Sequence, residues 1–151
     1  MPGPVERRAR PAASTLRVVL DTNVLLAALI SPGGGPERLY EAWKRGRFEL
    51  LTSAEQLDEF GRVTRYPTVR PLITVSEAGR MINQVRALAT LIEYARPPRV
   101  SSDPADDFLF AMAASGAADF LVTGDRSGVL KVRKHGRTRV LAVAEFAALL
   151  D

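Results

Sequence analysis

The sequence has no cysteine and a single histidine, His135. The absence of cysteine excludes disulfides, thiolate nucleophiles, Cys-ligated zinc and iron–sulfur clusters together. One histidine excludes a zinc site built from several imidazoles and a catalytic pair of histidines. Aromatic residues are scarce, at 7%, so the chain offers little surface for stacking successive bases. No apolar run approaches the roughly 18 residues of a membrane-spanning helix. No apolar segment follows the N-terminal arginines, so a secretory signal is not expected either. Lack of cysteine agrees with a reducing cytoplasm as the expected compartment. Metal or acid–base chemistry, if present, must rest mainly on carboxylates.

What is present fits one ordinary folded domain. The chain has 151 residues, 46% hydrophobic and 25% charged, enough to bury a single core. Half of the net charge of +4 lies in residues 1–15, which hold Arg7, Arg8, Arg10 and three of the ten prolines. That segment reads as a disordered basic tail, and 16–151 as the folded domain. A modest basic excess permits a nucleic-acid partner without requiring one.

Short apolar runs at 16–20, 48–51, 118–123 and 138–143 read as strands, with a further short strand at 99–100. Helices are expected from Asp21-Thr22-Asn23 to residue 30, over 37–46, from Ser53 to about residue 65, from Thr74 or Ser76 to about residue 94, from Asp103-Pro104 to 115–116, and over 144–150. The Gly33-Gly34-Gly35 run follows a helix and lacks a Gly-Lys-Ser/Thr continuation, so it is a connection and not a phosphate loop. The alternation implies an α/β fold: a parallel sheet of about 4–5 strands between two helical layers. In such folds, ligands bind at the carboxyl ends of the strands.

Acids collect at that edge. Asp21 follows the first strand, and Asp125 follows the strand 118–123. Asp103, Asp106 and Asp107 follow the expected strand near Val100, and Glu59 lies on the helix after the second strand. Singly, each has a structural explanation. Asp21 and Asp103 are good N-caps, Asp106 and Asp107 suit a first helical turn, Glu59 suits a solvated face, and Asp125 suits a turn. Jointly they form a cluster that repels itself unless a cation sits among them. An oxygen-only donor set suits Mg²⁺ or Mn²⁺, not zinc.

The segments VVLDTNVLLAALI (18–30), TSAEQLDEFGRV (52–63), DPADDFLFAMAASGAADFLVTGDR (103–126) and RVLAVAEFAALL (139–150) resemble the PIN-domain family. The resemblance is to the VapC-like group of toxin components of bacterial and archaeal toxin–antitoxin systems. It implies a three-layer α/β/α fold and a metal-dependent endoribonuclease using one or two Mg²⁺ or Mn²⁺ ions. Asp21, Glu59, Asp106 and Asp125 match the family's catalytic, metal-binding acids, and Asp107 stands second in rank as a ligand. Asn23 and Thr123 match residues that support the acids. The family often has a further acid where this chain has Ser127, which implies weaker hold on a second ion. The resemblance also implies an RNA substrate, a small antitoxin partner and a homodimer or higher homo-oligomer.

Residues 126–139 hold Arg126, Lys131, Arg133, Lys134, Arg137 and Arg139 without an acid. Such a run can follow a phosphate backbone, with Arg126, Lys131, Arg133 and Lys134 the candidate RNA contacts, or be a solvated loop. His135 is expected at the surface and not in catalysis. The Met81, Ile82, Val85, Leu88, Ala89 and Ile92 stripe reads as core packing or as a dimer or antitoxin face. Two other readings remain open. One is a phosphatase or phosphotransferase with an aspartate nucleophile, against which Asn23 stands where a proton-donating Asp is wanted. The other is a catalytically silent PIN-like RNA-binding or scaffold domain, against which all four acids are present.

Overall fold

The computed structural model describes residues 15–95, 97–124 and 128–151. The expected N-terminal tail therefore lies, but for residue 15, outside the described residues. The chain runs β1 (Arg17–Leu20), α1 (Thr22–Ile30), α2 (Gly35–Lys44), β2 (Glu49–Thr52), α3 (Ala54–Val63), α4 (Val75–Leu88) and β3 (Thr90–Leu91). A 3₁₀ turn (Pro104–Asp106) then leads to α5 (Asp107–Ser115), β4 (Phe120–Thr123), α6 (Val129–Val132), β5 (Lys134–His135), β6 (Thr138–Ala142) and α7 (Val143–Leu150). The strands form one sheet in the order β3-β2-β1-β4-β6-β5. All neighbours are parallel except the β5–β6 pair.

The layers follow from the two-residue period of a strand. Val18, Leu20, Leu50, Phe120, Val122 and Leu141 face a core completed by α1, α2, α3, α4 and α7. Val19, Leu51, Leu121 and Val140 face the opposite core, completed by α5 and α6. Both faces of β1 and β4 are thus covered. Their near-continuous apolar sequences are what a doubly covered parallel strand requires. Among the described residues no helix is long and apolar enough to cross a membrane.

Three departures from the sequence expectation have local causes. The expected helix to about residue 94 stops at Leu88, because Thr90 and Leu91 pair with Leu51 and Thr52 of β2. The Thr90 hydroxyl donates to Glu49 Oε2 at 2.6 Å, and the Ile92 N–H donates to the Thr52 carbonyl at 2.7 Å. An open sheet edge outweighs helix propensity there. The strand expected at 99–100 is irregular chain, so this strand position is filled nine residues earlier, by Thr90 and Leu91. The two-residue β3 and β5 raise the strand number to six, above the expected 4–5. At its start α4 follows sequence signals closely. Thr74 Oγ1 accepts from the Glu77 N–H and Glu77 Oε1 accepts from the Thr74 N–H, a reciprocal cap. The Thr74 N–H chiefly, with the Thr74 side chain, holds the Glu77 carboxyl below its usual range.

The amino edge of the sheet is tied by a polar chain. Arg17 donates from Nη1 to Glu49 Oε1 at 2.9 Å and from Nε to the Gly116 carbonyl at 2.7 Å. Asp119 accepts from the Arg17 N–H at 2.9 Å and from Arg137 Nη2 at 2.8 Å. Gly116 sits where backbone and side chains converge. A Cβ there would lie 2.7 Å from Leu51 Cδ1 and 3.0 Å from the Met112 carbonyl oxygen. Gly116→Ala is therefore expected to destabilise the fold by about 1–3 kcal/mol, the usual cost of overpacking. Urea unfolding of the two proteins measures it; an unchanged midpoint would show that the site relaxes freely.

Candidate functional site

Parallel strands deliver their carboxyl ends to one edge. Leu20 of β1 is in register with Val122 of β4, so Asp21 and Thr123 lie side by side one residue beyond. The Asp21 N–H extends the pairing by donating to the Val122 carbonyl at 2.9 Å. Asp21 is the N-cap of α1 and is only 5% exposed. Its Oδ1 accepts from the Asn23 backbone N–H at 3.3 Å, and its Oδ2 accepts from Thr123 Oγ1 at 2.7 Å. The cap and the strand-end acid are one residue, so the structural explanation of Asp21 and the functional one do not compete. Of the two residues expected to support the acids, Thr123 reaches Asp21 through its buried hydroxyl. Asn23 does so through its backbone and is itself exposed.

A second buried group stabilises this edge, and sequence reasoning did not single it out. Gln56, in the first turn of α3, is 1% exposed. Its Nε2 donates to the Leu20 carbonyl at 2.7 Å, with Thr22 Oγ1 at 3.5 Å. Its Oε1 accepts from Thr52 Oγ1 at 2.7 Å. One amide thus links the last residue of β1, the first turn of α1 and the last residue of β2. The available signal was a polar residue one turn before Phe60 on the buried stripe of α3. Ser53 caps the same helix by accepting from the Gln56 N–H at 3.1 Å, and its hydroxyl lies 2.9 Å from Met112 Sδ. Glu59 lies three residues beyond Gln56, on the same side of α3, and is partly exposed.

The acids near α5 have separate tasks. Asp103 Oδ1 accepts from the Ala105 N–H at 3.0 Å and caps the 3₁₀ turn. Asp106 closes that turn, with its N–H donating to the Asp103 carbonyl at 3.0 Å, and is partly exposed. Asp107 is 3% exposed. Its Oδ1 accepts from the N–H groups of Val100 at 3.1 Å and Ser101 at 2.7 Å, which folds the preceding loop onto the start of α5. Asp125, Arg126 and Ser127 lie outside the described residues. Among the described residues no three acidic or imidazole groups stand close enough to hold a metal ion.

The basic run does not stay at this edge. Lys131 is exposed on α6. Arg133 has φ +64° and its Nη2 lies 3.4 Å from Glu145 Oε2. That contact and the Ala142 N–H hold the Glu145 carboxyl below its usual range, the N–H contributing most. The chain then reverses through Gly136, at φ +59°, in a hairpin. Lys134 pairs with Arg139, and Arg139 with Phe120, the first residue of β4. Lys134, Arg137 and Arg139 therefore lie at the amino edge, away from Asp21. There Arg137 pairs with Asp119 at 2.8 Å, and the Arg139 guanidinium lies 5.8 Å from the Phe120 ring centroid. His135, expected at the surface, is partly buried, edge-on to Phe110 with centroids 5.6 Å apart.

Residues 17–127 match a family model described as the PIN domain. Among solved structures, the crystal structure of PAE2754 from Pyrobaculum aerophilum is similar, with 18% sequence identity and a TM-score of 0.55. The similarity covers 95% of this chain and 94% of that one and is a likeness of fold. No curated protein matches.

Replacing Gln56 by Met keeps its length but removes both hydrogen-bonding functions. The Leu20 carbonyl and the Thr52 hydroxyl then lose their partner, at about 1–3 kcal/mol for each buried group left unsatisfied. Gln56→Met is expected to lower the unfolding free energy, measured in urea, by about 2–6 kcal/mol for the two groups together. A change below half a kilocalorie, about the scatter of surface substitutions, would mean that water replaces the amide.

Proposed function

The chain belongs to the PIN-domain family, and on that premise we propose that it is a metal-dependent endoribonuclease, the toxin of a type II toxin–antitoxin pair. PIN domains are generally nucleases that use divalent metal ions. One observation carries the reading for this chain. A nearly buried carboxylate, Asp21, is held by the Thr123 hydroxyl at the carboxyl end of the two central strands. A charge removed from water so far is costly unless it is well hydrogen-bonded or paired with a cation.

The donor chemistry of the proposed set fits a hard ion. Asp21, Glu59, Asp106 and Asp125 supply oxygen alone, which suits Mg²⁺ or Mn²⁺, one or two in number. An ion held by these residues would supply the positive charge that lowers the pKa of a water and offsets the charge of a phosphate. The chain's own part is positional. Thr123 and the Asn23 N–H fix both oxygens of Asp21, and the Gln56 amide holds the β1–α1 corner from which it projects. The water's oxygen bonds to phosphorus as it loses a proton, the P–O3′ bond breaks and the 3′ oxygen takes up a proton, giving 5′-phosphate and 3′-hydroxyl ends. The toxin assignment rests on the resemblance of the four motif segments to VapC-like proteins. It brings with it a small antitoxin that masks the acids and a homodimer or higher homo-oligomer.

The test compares wild type with Asp106→Asn on a mixed pool of structured and unstructured RNAs, in Mg²⁺, in Mn²⁺ and in EDTA. Wild type is expected to cut only with metal, and the variant to cut at least about 100-fold more slowly, the scale of losing one charge-stabilising group. Mn²⁺ at a hundredfold excess over its dissociation constant should also stabilise wild type by about 2.7 kcal/mol. Cutting that survives EDTA or the substitution would overturn the assignment.

A further inference from the structure

The carboxyl edge continues past Thr123 into a cleft of about 510 Å³ between the start of α2 and α7. Its volume falls within the range of about 300–1,000 Å³ typical of small-ligand sites. The walls are small and mostly apolar: Gly35, Gly124, Ala144 and Ala148, with Val143 and Leu130. Thr123 lies on the wall too, so the residue that donates to Asp21 also borders the cleft. A Cβ at Gly124 would meet nothing within 4 Å.

One cationic side chain, Arg38, and one acidic one, Asp151, line this space. Arg38 donates from Nη2 to the Gly33 carbonyl at 3.3 Å, and makes no ion pair among the described residues. Glu37 pins the same loop, its Oε1 accepting from the Gly33 N–H at 2.6 Å. A guanidinium is a planar fork of donors with no acceptor. A flat ligand with apolar faces and two adjacent acceptors on one edge fits such a wall and such a fork. Guanine, through O6 and N7, is the base that presents this pair to arginine. We propose that the cleft is a base-binding subsite beside the cleavage site, that Arg38 reads guanine in it, and that it sets which phosphodiester is presented to Asp21. This rests on the reading of the chain as an RNA-cleaving enzyme.

Binding and cutting are measured separately on the full chain. Fluorescent pentaribonucleotides with a central G, A, C, U or abasic residue are titrated in EDTA, where no cleavage is expected. Wild type is expected to bind the G-centred oligomer at least about tenfold more tightly than the abasic one, within the range of one bidentate arginine–guanine contact. Arg38→Ala and Ala148→Trp, the second filling the cleft from an exposed position, are each expected to abolish that difference. Circular dichroism checks that both variants fold; Ala144→Trp replaces the second if it does not. The randomised RNA pool is then cut with Mn²⁺ and the ends are sequenced. Guanine should be enriched at one fixed offset from the cut in wild type, and the enrichment lost in both variants while cutting persists. Equal affinity for all five oligomers, affinity for none, or a preference untouched by both substitutions overturns the proposal. Cutting without base preference overturns the subsite and leaves the nuclease intact. Base discrimination without any cutting keeps the subsite and removes the nuclease.

Discussion

A hydrogen bond between two neighbouring strand ends is the constraint on which the rest of this molecule depends. Thr123 Oγ1 donates to Asp21 Oδ2 at 2.7 Å, and both residues are buried. An ionised carboxylate in that position requires several donors. The parallel register of β1 and β4 provides the hydroxyl, and the first turn of α1 provides a backbone N–H. Slipping that register by one residue would turn Val18, Leu20, Phe120 and Val122 out of one core and Val19 and Leu121 out of the other. The apolar pattern of the two strands therefore also fixes where the carboxylate sits.

The sheet has two edges with different chemistry. At the amino edge, ions of opposite charge neutralise each other across successive strands: Arg17 with Glu49, and Asp119 with Arg137. These partly exposed pairs align strands more than they add stability. At the carboxyl edge the ties are neutral amide and hydroxyl groups, Gln56, Thr52, Thr22 and Thr123, gathered around an acid. The nuclease reading starts from this carboxylate, whose two oxygens the Thr123 hydroxyl and the Asn23 N–H orient.

The basic run illustrates why charge along a sequence is a poor guide to charge on a surface. Residues 131–139 are contiguous, yet they cross from α6 to a hairpin at the opposite edge. α6 and the antiparallel β5 carry the chain to the amino edge, where it turns back through Gly136 into β6. Arg133 and Arg137 reach Glu145 and Asp119, acids far enough away in sequence that no local pattern announces them.

Much of the fold was legible locally. Asp21, Ser53 and Thr74 cap helices where their spacing indicated, and the apolar runs of β1, β2, β4 and β6 lie within a residue or two of their expected bounds. Such signals act over one turn or one strand, so the chain expresses them without knowing its neighbours. The three-layer class and the strand-end position of Asp21 follow from them. Gln56 was not legible, because a glutamine in a helix carries no mark of the three segments it will bridge. The end of α4 and the strand at Thr90 were not legible either, because an unpaired edge of β2 decided them. Asp106 and Asp107 are adjacent and alike in sequence. The fold alone turns Asp107 inward to bind the backbone of Val100 and Ser101 and leaves Asp106 partly exposed. Short-range propensity and periodicity determined the elements and the acid at the strand end. Long-range pairing, which only the assembled sheet can supply, decided which polar groups surround it.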